Sequence, residues 1–193
     1  MAHAPVSPRR WRLDADGRIA AARFVPSPNH DDRPPEAQAR LLVVHSISLP
    51  PGKFGGDTVE QLFTNCLDPR AHPYFAKIAG LRVSAHFFIR RSGALVQFVP
   101  VGKRAWHAGA SCWRGAEHCN DFSIGIELEG CDWKPFTRAQ YRSLNRLTEI
   151  LRASLPIEAV AGHSDISPGR KTDPGPLFDW SRFAAAASLD RRA

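Results

Sequence analysis

Phe122-Ser123-Ile124-Gly125-Ile126-Glu127-Leu128-Glu129 is the stretch on which the fold prediction depends. Apolar residues alternate in it with small or acidic ones, which is the period-2 pattern of a β-strand. One face carries only apolar side chains: Phe122, Ile124, Ile126 and Leu128. The other face carries Ser123, Gly125, Glu127 and Glu129. The pattern predicts a strand that packs one face on a core and directs two carboxyl groups to the opposite side.

Further strand patterns surround this stretch. Residues 41–45 form a wholly apolar run that ends in His45, which indicates a buried strand. Residues 86–91 and 94–100, joined by Ser92-Gly93, have the pattern of a hairpin. Residues 160–163 indicate one more short strand, ending at His163.

Helical signals alternate with these strands. Asp57 is a candidate N-cap for a helix to about Leu67, and Thr137 with Gln140 has the form of a capping box for a helix to about Ser154. Asp179 is a candidate cap for a last helix through Ala187. Strands interleaved with helices predict an α/β (mixed) fold, in which helices pack on a central mixed sheet.

The length and composition of the chain predict a single domain of ordinary size. The 193 residues suit a single core; we expect an irregular N-terminal arm over 1–39 packed on a domain of 40–187, and a tail of 188–193. We find no apolar run of membrane-spanning length, and the amino terminus lacks the apolar region of a secretory signal. The four cysteines form no CxxC pair, so free thiols and a cytoplasmic location are expected.

The charge balance bears on the partner. The formal net charge is +7, but the arginines are scattered and accompany no nucleic-acid-binding motif. An acidic small substrate explains the charge better than a nucleic acid does. A monomer without a membrane span is expected.

Two histidines and a polar loop suggest a metal site. His45 and His163 each end a predicted strand, where α/β sheets keep their binding crevices. The loop after His163 supplies Asp165, Lys171 and Asp173. Two imidazoles and one carboxylate form a recurrent catalytic zinc set, and Glu127 is a candidate general base. Single histidines are more often structural than metal-binding, and the spacing does not decide between Asp165 and Asp173 as the carboxylate ligand.

From Leu41 to Trp180 the chain resembles family 2 of the N-acetylmuramoyl-L-alanine amidases, and within it the cytosolic members that act on 1,6-anhydro-muropeptides. The matching segments occur in order: Leu42-Val43-Val44-His45, Leu49-Pro50-Pro51-Gly52, Phe54-Gly55-Gly56, His72-Pro73-Tyr74-Phe75, Leu81-Arg82-Val83-Ser84-Ala85-His86, Arg104-Ala105-Trp106-His107-Ala108-Gly109, residues 119–130 and Lys171-Thr172-Asp173-Pro174-Gly175-Pro176.

The resemblance implies a fold shared with peptidoglycan-recognition proteins and one Zn²⁺ per chain on His45, His163 and Asp173. It assigns Glu127 to the hydrolytic water, Lys171 to the developing oxyanion and Asp165 to bracing the loop. The implied reaction cleaves the bond between N-acetylmuramic acid and L-alanine in peptidoglycan fragments, in cell-wall recycling, which limits β-lactamase induction in Gram-negative relatives. The substrate-binding residues predicted on this basis are Arg82, Tyr74, Trp106, His107, His118, Ser46, Ser167 and Arg170.

Three of these positions depart from the family pattern: Ser46 stands for an asparagine, Ser167 for an alanine and His118 for an arginine of the cleft. Two alternative functions stay open. A broad-specificity wall amidase would act on intact peptidoglycan, and a non-catalytic peptidoglycan-binding module would lack a metal ligand. The presence of both histidines and Asp173 favours the enzyme.

Overall fold

The computed structural model describes residues 11–191. The first ten residues of the predicted arm and the last two of the predicted tail lie outside the described residues. Within 11–191 the strands are, in chain order, β1 (Arg23–Phe24), β2 (His30–Asp32), β3 (Leu41–Ile47), β4 (Phe87–Ile89), β5 (Leu95–Gln97), β6 (Lys103–Ala105), β7 (Cys112–Trp113), β8 (Ala116–Glu117), β9 (Ser123–Glu129) and β10 (Ala159–Gly162). The α-helices of the same range are α1 (Thr58–Phe63), α2 (Pro73–Lys77), α3 (Arg138–Ser154) and α4 (His163–Ile166).

Six strands form a central mixed sheet in the order β1-β5-β4-β9-β3-β10. The β4–β5 hairpin is antiparallel, as predicted, and the other neighbours are parallel. The strand on which the prediction depended, β9, lies between β4 and β3, and all seven of its residues are buried. Parallel strands are covered on both faces in α/β folds, which is why the acidic face of β9 is also buried. The predicted fold class is therefore confirmed.

Helix α3 covers one face of the sheet. Its capping box at Thr137 and Gln140 forms as predicted, and its apolar stripe packs against alternate residues of β3, β4 and β9. The residues of that stripe are Tyr141, Leu144, Leu147 and Leu151. The opposite face is covered by α1, α2, α4 and the connection from β6 to β9. Among the described residues, no helix combines the length and apolar composition needed to cross a membrane.

Three local predictions need correction. Helix α1 ends at Phe63, four residues before the predicted end, and the Asp57 side chain makes no capping hydrogen bond. The predicted last helix is instead two short 3₁₀ turns, at Trp180–Arg182 and Ala184–Ala186, although Asp179 does accept a hydrogen bond from the Ser181 amide. Segment 11–39, predicted as irregular, contributes β1 to the edge of the central sheet because backbone pairing with β5 needs no apolar pattern.

Candidate active site

The site lies on the sheet face opposite α3. His45 of β3 pairs in register with Glu127 of β9, so both side chains leave the same face. His45 is 1% exposed and Glu127 is 8% exposed. Strand β3 runs two residues beyond His45, to Ile47, so His45 is held inside a paired strand rather than at its free end.

His163 and Asp173 complete a cluster with His45. His163 is the first residue of α4, directly after β10, and Asp173 follows in the next loop. The Nδ1 atoms of the two histidines are 3.0 Å apart, and Asp173 Oδ2 is 3.1 Å from each of them. In the part of the chain that the structure describes, this is the group of histidine, cysteine and acidic side chains found close enough to hold a metal ion.

The hydrogen-bond partner of His163 Nε2 shows which of the two ring nitrogens carries the proton. Its Nε2 lies 3.1 Å from the carbonyl oxygen of Ala108, which can only accept, so Nε2 carries the proton. The Nδ1 atom therefore turns a bare lone pair toward His45 and Asp173. A carboxylate oxygen and a bare nitrogen at this separation repel each other unless a cation lies between them, which fits a metal-binding site.

Burial and mutual contact shift the acidities of the cluster. Burial lowers the pKa of His45 to about 4, which keeps its ring neutral and able to bind a metal. Burial, with the neighbouring Asp173 carboxylate, raises the pKa of Glu127 well above its usual value.

Asp165 is held away from this cluster. Its Oδ2 accepts a hydrogen bond of 2.7 Å from the Gly162 amide, at the start of α4. That contact braces the turn that carries His163. The geometry therefore favours Asp173 over Asp165 as the carboxylate of a metal site, the choice that spacing left open.

A cavity of about 450 Å³ opens over the cluster. Glu127 lies in its wall, and its Oε2 atom is buried without a hydrogen-bond partner among the described residues. Lys171, two residues before Asp173, is exposed and also lines the cavity. A candidate metal site, a buried carboxyl group and an exposed cationic side chain thus share one opening.

The sequence family agrees with this geometry. The family model described as N-acetylmuramoyl-L-alanine amidase matches residues 35–176. This chain belongs to that amidase family. The 1,6-anhydro-N-acetylmuramyl-L-alanine amidase AmpD of Salmonella typhimurium strain SL1344 is 58% identical over 179 residues, 92% of this chain and 96% of the relative.

Solved structures support the same assignment. The crystal structure of a selenomethionine AmpD derivative matches this amidase-family chain with a TM-score of 0.87 and 59% identity, over 90% of this chain and 97% of that one. Human PGRP-Iβ C, solved with a glycosamyl muramyl pentapeptide, matches with a TM-score of 0.54 and 14% identity, over 83% and 90% of the two chains. At that identity the likeness shows the fold alone, and the predicted relation to peptidoglycan-recognition proteins is confirmed at that level.

Half of the substrate residues predicted from the family resemblance line the cavity: Ser46, Tyr74, His107 and Arg170. The Arg170 guanidinium also donates to the carbonyls of Ala108 and Ala110, which ties the rim to the β6–β7 connection.

The other four predicted residues are not among those that line the cavity: Arg82, Trp106, His118 and Ser167. The Trp106 side chain makes a hydrogen bond with Asp31, and Ser167 donates to the Ala110 carbonyl. His118 is exposed and has a left-handed backbone at the start of the 3₁₀ turn Cys119–Phe122. Their proposed substrate contacts stay predictions for a bound state.

Sequence reasoning missed the apolar rim of this amidase site. Trp133 is 66% exposed and Leu81 is 48% exposed, and both line the cavity. Trp133 packs against Gly52, where an added Cβ would come within 3.0 Å of the indole. The signal was a lone tryptophan between Asp132 and Lys134, in a segment with no helix or strand pattern.

Proposed function

We propose that this chain is a zinc-dependent amidase that hydrolyses the bond between 1,6-anhydro-N-acetylmuramic acid and L-alanine in peptidoglycan fragments, as part of cell-wall recycling. The observation that carries the proposal is the convergence of His45, His163 and Asp173 beside Glu127 in one cavity. The identity of 58% to AmpD, whose name states this bond, supports the choice of substrate.

The donor set favours zinc over other common ions. Two neutral imidazole nitrogens and one carboxylate oxygen suit Zn²⁺ and leave a position for water or substrate. Mg²⁺ and Ca²⁺ prefer shells made of oxygen atoms, which this cluster does not supply. When bound, zinc supplies Lewis acidity, which polarises a carbonyl oxygen and makes water more acidic.

The protein's own residues would then move protons and hold charge. Glu127 takes a proton from the attacking water and passes it to the alanine nitrogen as the C–N bond breaks. Its buried Oε2, which has no partner among the described residues, is free to receive that proton. The Lys171 ammonium group lies where it can approach the carbonyl oxygen as negative charge develops there.

The open cavity suits a glycopeptide fragment. A volume of about 450 Å³ lies in the range of small-molecule sites. The lining includes Tyr74 and Trp133, which offer aromatic surfaces, and the cationic Lys171 and Arg170. A sugar with an acidic stem peptide presents both kinds of surface. The four free cysteines support a cytoplasmic place of action for this step.

The test is a comparison of two substrates. Zinc-loaded protein is incubated with purified anhydro-muropeptide and, separately, with intact sacculi, and released stem peptides are identified by mass spectrometry. We expect a peptide with a free L-alanine amino group from the fragment and little from the sacculi, with loss of activity in chelator and recovery on zinc addition. Equal release from sacculi would indicate a wall amidase, and binding without release would indicate a binding module.

A further inference from the structure

His107 lies behind His45, on the side away from the metal cluster. Its Nδ1 atom is 2.9 Å from His45 Nε2, and the two rings meet edge-on with centroids 5.0 Å apart. Its other nitrogen, Nε2, is 3.2 Å from the hydroxyl oxygen of Ser123. Both polar atoms of the His107 ring are therefore engaged by protein groups.

The Cys119 carbonyl, at the end of this chain of hydrogen bonds, determines which atom donates in each of them. The Ser123 hydroxyl donates its single proton to the Cys119 carbonyl, which can only accept. The Ser123 oxygen must then accept from His107 Nε2, so Nε2 carries the ring proton. His107 Nδ1 is consequently bare and accepts from His45 Nε2. His45 is left with a bare Nδ1, the atom that faces His163 and Asp173.

Asn120 and Gly125 keep the His107 ring in this position. The Asn120 side-chain oxygen accepts from the amides of His107 and Ala108, at 3.1 and 2.8 Å. Gly125 of β9 provides the space, because an added Cβ there would come within 2.4 Å of the His107 ring. Such an overlap requires a shift of the ring, so residue 125 has no room for a side chain while His107 is in place.

We infer that His107 is a positioning residue, which together with Ser123 fixes the His45 tautomer that presents Nδ1 to the metal. The inference deepens the proposed function and rests on it for the identity of the ion. Partners that accept the second N–H of a ligating histidine orient the ring and increase its basicity, and their loss typically weakens metal affinity by roughly 10–100-fold. Because both ring nitrogens already have protein partners, His107 lines the cavity but has no ring nitrogen available to hydrogen-bond substrate.

The first experiment measures zinc affinity by competition with a chromophoric chelator. His107→Phe keeps an aromatic ring but removes the acceptor, and we expect the Kd for zinc to rise roughly 10–100-fold. His107→Asn restores an acceptor oxygen near the position of Nδ1, and we expect most of the affinity to return. Ser123→Ala should give a smaller loss, because the His107 tautomer is then no longer fixed.

His86 offers a matched control. It is a buried histidine whose ring lies 5.8 Å from that of His107, and its ring nitrogens contact the Gly125 amide, the Lys103 carbonyl and the Arg33 guanidinium. His86→Asn should leave the zinc affinity of the folded protein unchanged. Equal zinc affinity in wild type and His107→Phe would overturn the inference.

A second measurement needs no variant. Long-range ¹H–¹⁵N NMR spectra of the histidine rings distinguish the two neutral tautomers in wild-type protein. We expect His45 and His107 both to carry the proton on Nε2. A proton on Nδ1 of either ring would overturn the inference, whereas a wild-type protein that has these tautomers but binds no zinc would contradict only the proposed function.

Discussion

His45 and Glu127 are direct partners in the parallel pairing of β3 and β9, and both side chains point into the same cavity. The candidate metal-binding histidine and the candidate base are therefore separated by one interstrand spacing, set by backbone hydrogen bonds. His163 begins α4, and the loop that follows contributes Lys171 and Asp173. Strands position functional groups more accurately than loops do, and His45 and Glu127 lie on two paired inner strands of the sheet.

Replacing Glu127 separates chemistry from binding. In Glu127→Gln the shape of the side chain is kept but the proton acceptor is lost, so we expect kcat to fall by at least ~10²-fold, the usual size of a general-base contribution. Zinc content and KM should stay close to wild type, since the carboxyl group is outside the ligand cluster. Steady-state kinetics and metal analysis check this, and near-normal kcat would show that another group activates the water.

The two aspartates of the loop after β10 should respond differently to substitution. Asp173→Ala removes the only carboxylate of the cluster, and we expect tight zinc binding to be lost. Asp165→Ala should retain zinc but lower the free energy of unfolding by about 1–3 kcal/mol, because the Gly162 amide loses a charged acceptor. Metal analysis and denaturant titration distinguish the two variants, and the reverse pattern would mean that Asp165 is the ligand.

Trp133 is expected to bind substrate through its exposed face. Trp133→Ala should raise KM by roughly two- to tenfold with little change in kcat, which corresponds to a stacking contact of about 0.5–1.5 kcal/mol. Leu177→Ala is the matched control, because Leu177 is 42% exposed but is absent from the cavity lining. Equal KM values in all three proteins would contradict a role for the indole.

The buried His86 should make the protein less stable in acid. Burial, together with the Arg33 guanidinium, lowers its pKa from 6.5 to about 3. Between those values the unfolded chain binds the proton and the folded protein does not, so the free energy of unfolding falls as the pH drops below 6.5 and is unaffected above it. At 1.36 kcal/mol per pKa unit, this histidine alone accounts for a loss of roughly 2 kcal/mol between pH 7 and pH 5.

The check is urea denaturation at pH 7 and pH 5 of metal-free wild type and His86→Gln. The variant should lose about 2 kcal/mol less over this range, whatever its absolute stability. His118→Gln, which replaces an exposed histidine, should behave like wild type. An identical pH dependence in wild type and His86→Gln would show that His86 takes up no proton on unfolding.

Local patterns carried most of the fold prediction. The period-2 stretch, the hairpin at Ser92-Gly93 and the Thr137 capping box all depend on neighbours in sequence, and each is present. The order of the strands follows from long-range pairing, which no local pattern encodes. The predicted C-terminal end of α1 and the predicted helix after Asp179 were wrong, because local propensity is a weak guide where tertiary packing decides where a short element stops.

The candidate site likewise combines residues that neighbours in sequence identify with residues that only long-range contacts identify. The three candidate metal ligands could be proposed from sequence because their neighbours along the chain match the family pattern, and the structure brings them together. The positioning role proposed for His107 depends on a contact with Ser123 and on the missing side chain of Gly125, sixteen and eighteen residues away, so the sequence pattern did not indicate it. Trp133 was missed because exposure of an aromatic side chain is a property of the folded surface.

The three candidate ligands lie far apart along the chain, so they are synthesised at different times. His45 and Glu127 are synthesised before His163 and Asp173, and β10, which precedes His163, is the last strand of the sheet in chain order. A nascent chain that ends before residue 163 has the central strands but only one of the three candidate ligands. Tight binding of an ion by all three candidate ligands therefore requires the segment from His163 to Asp173 to have been synthesised.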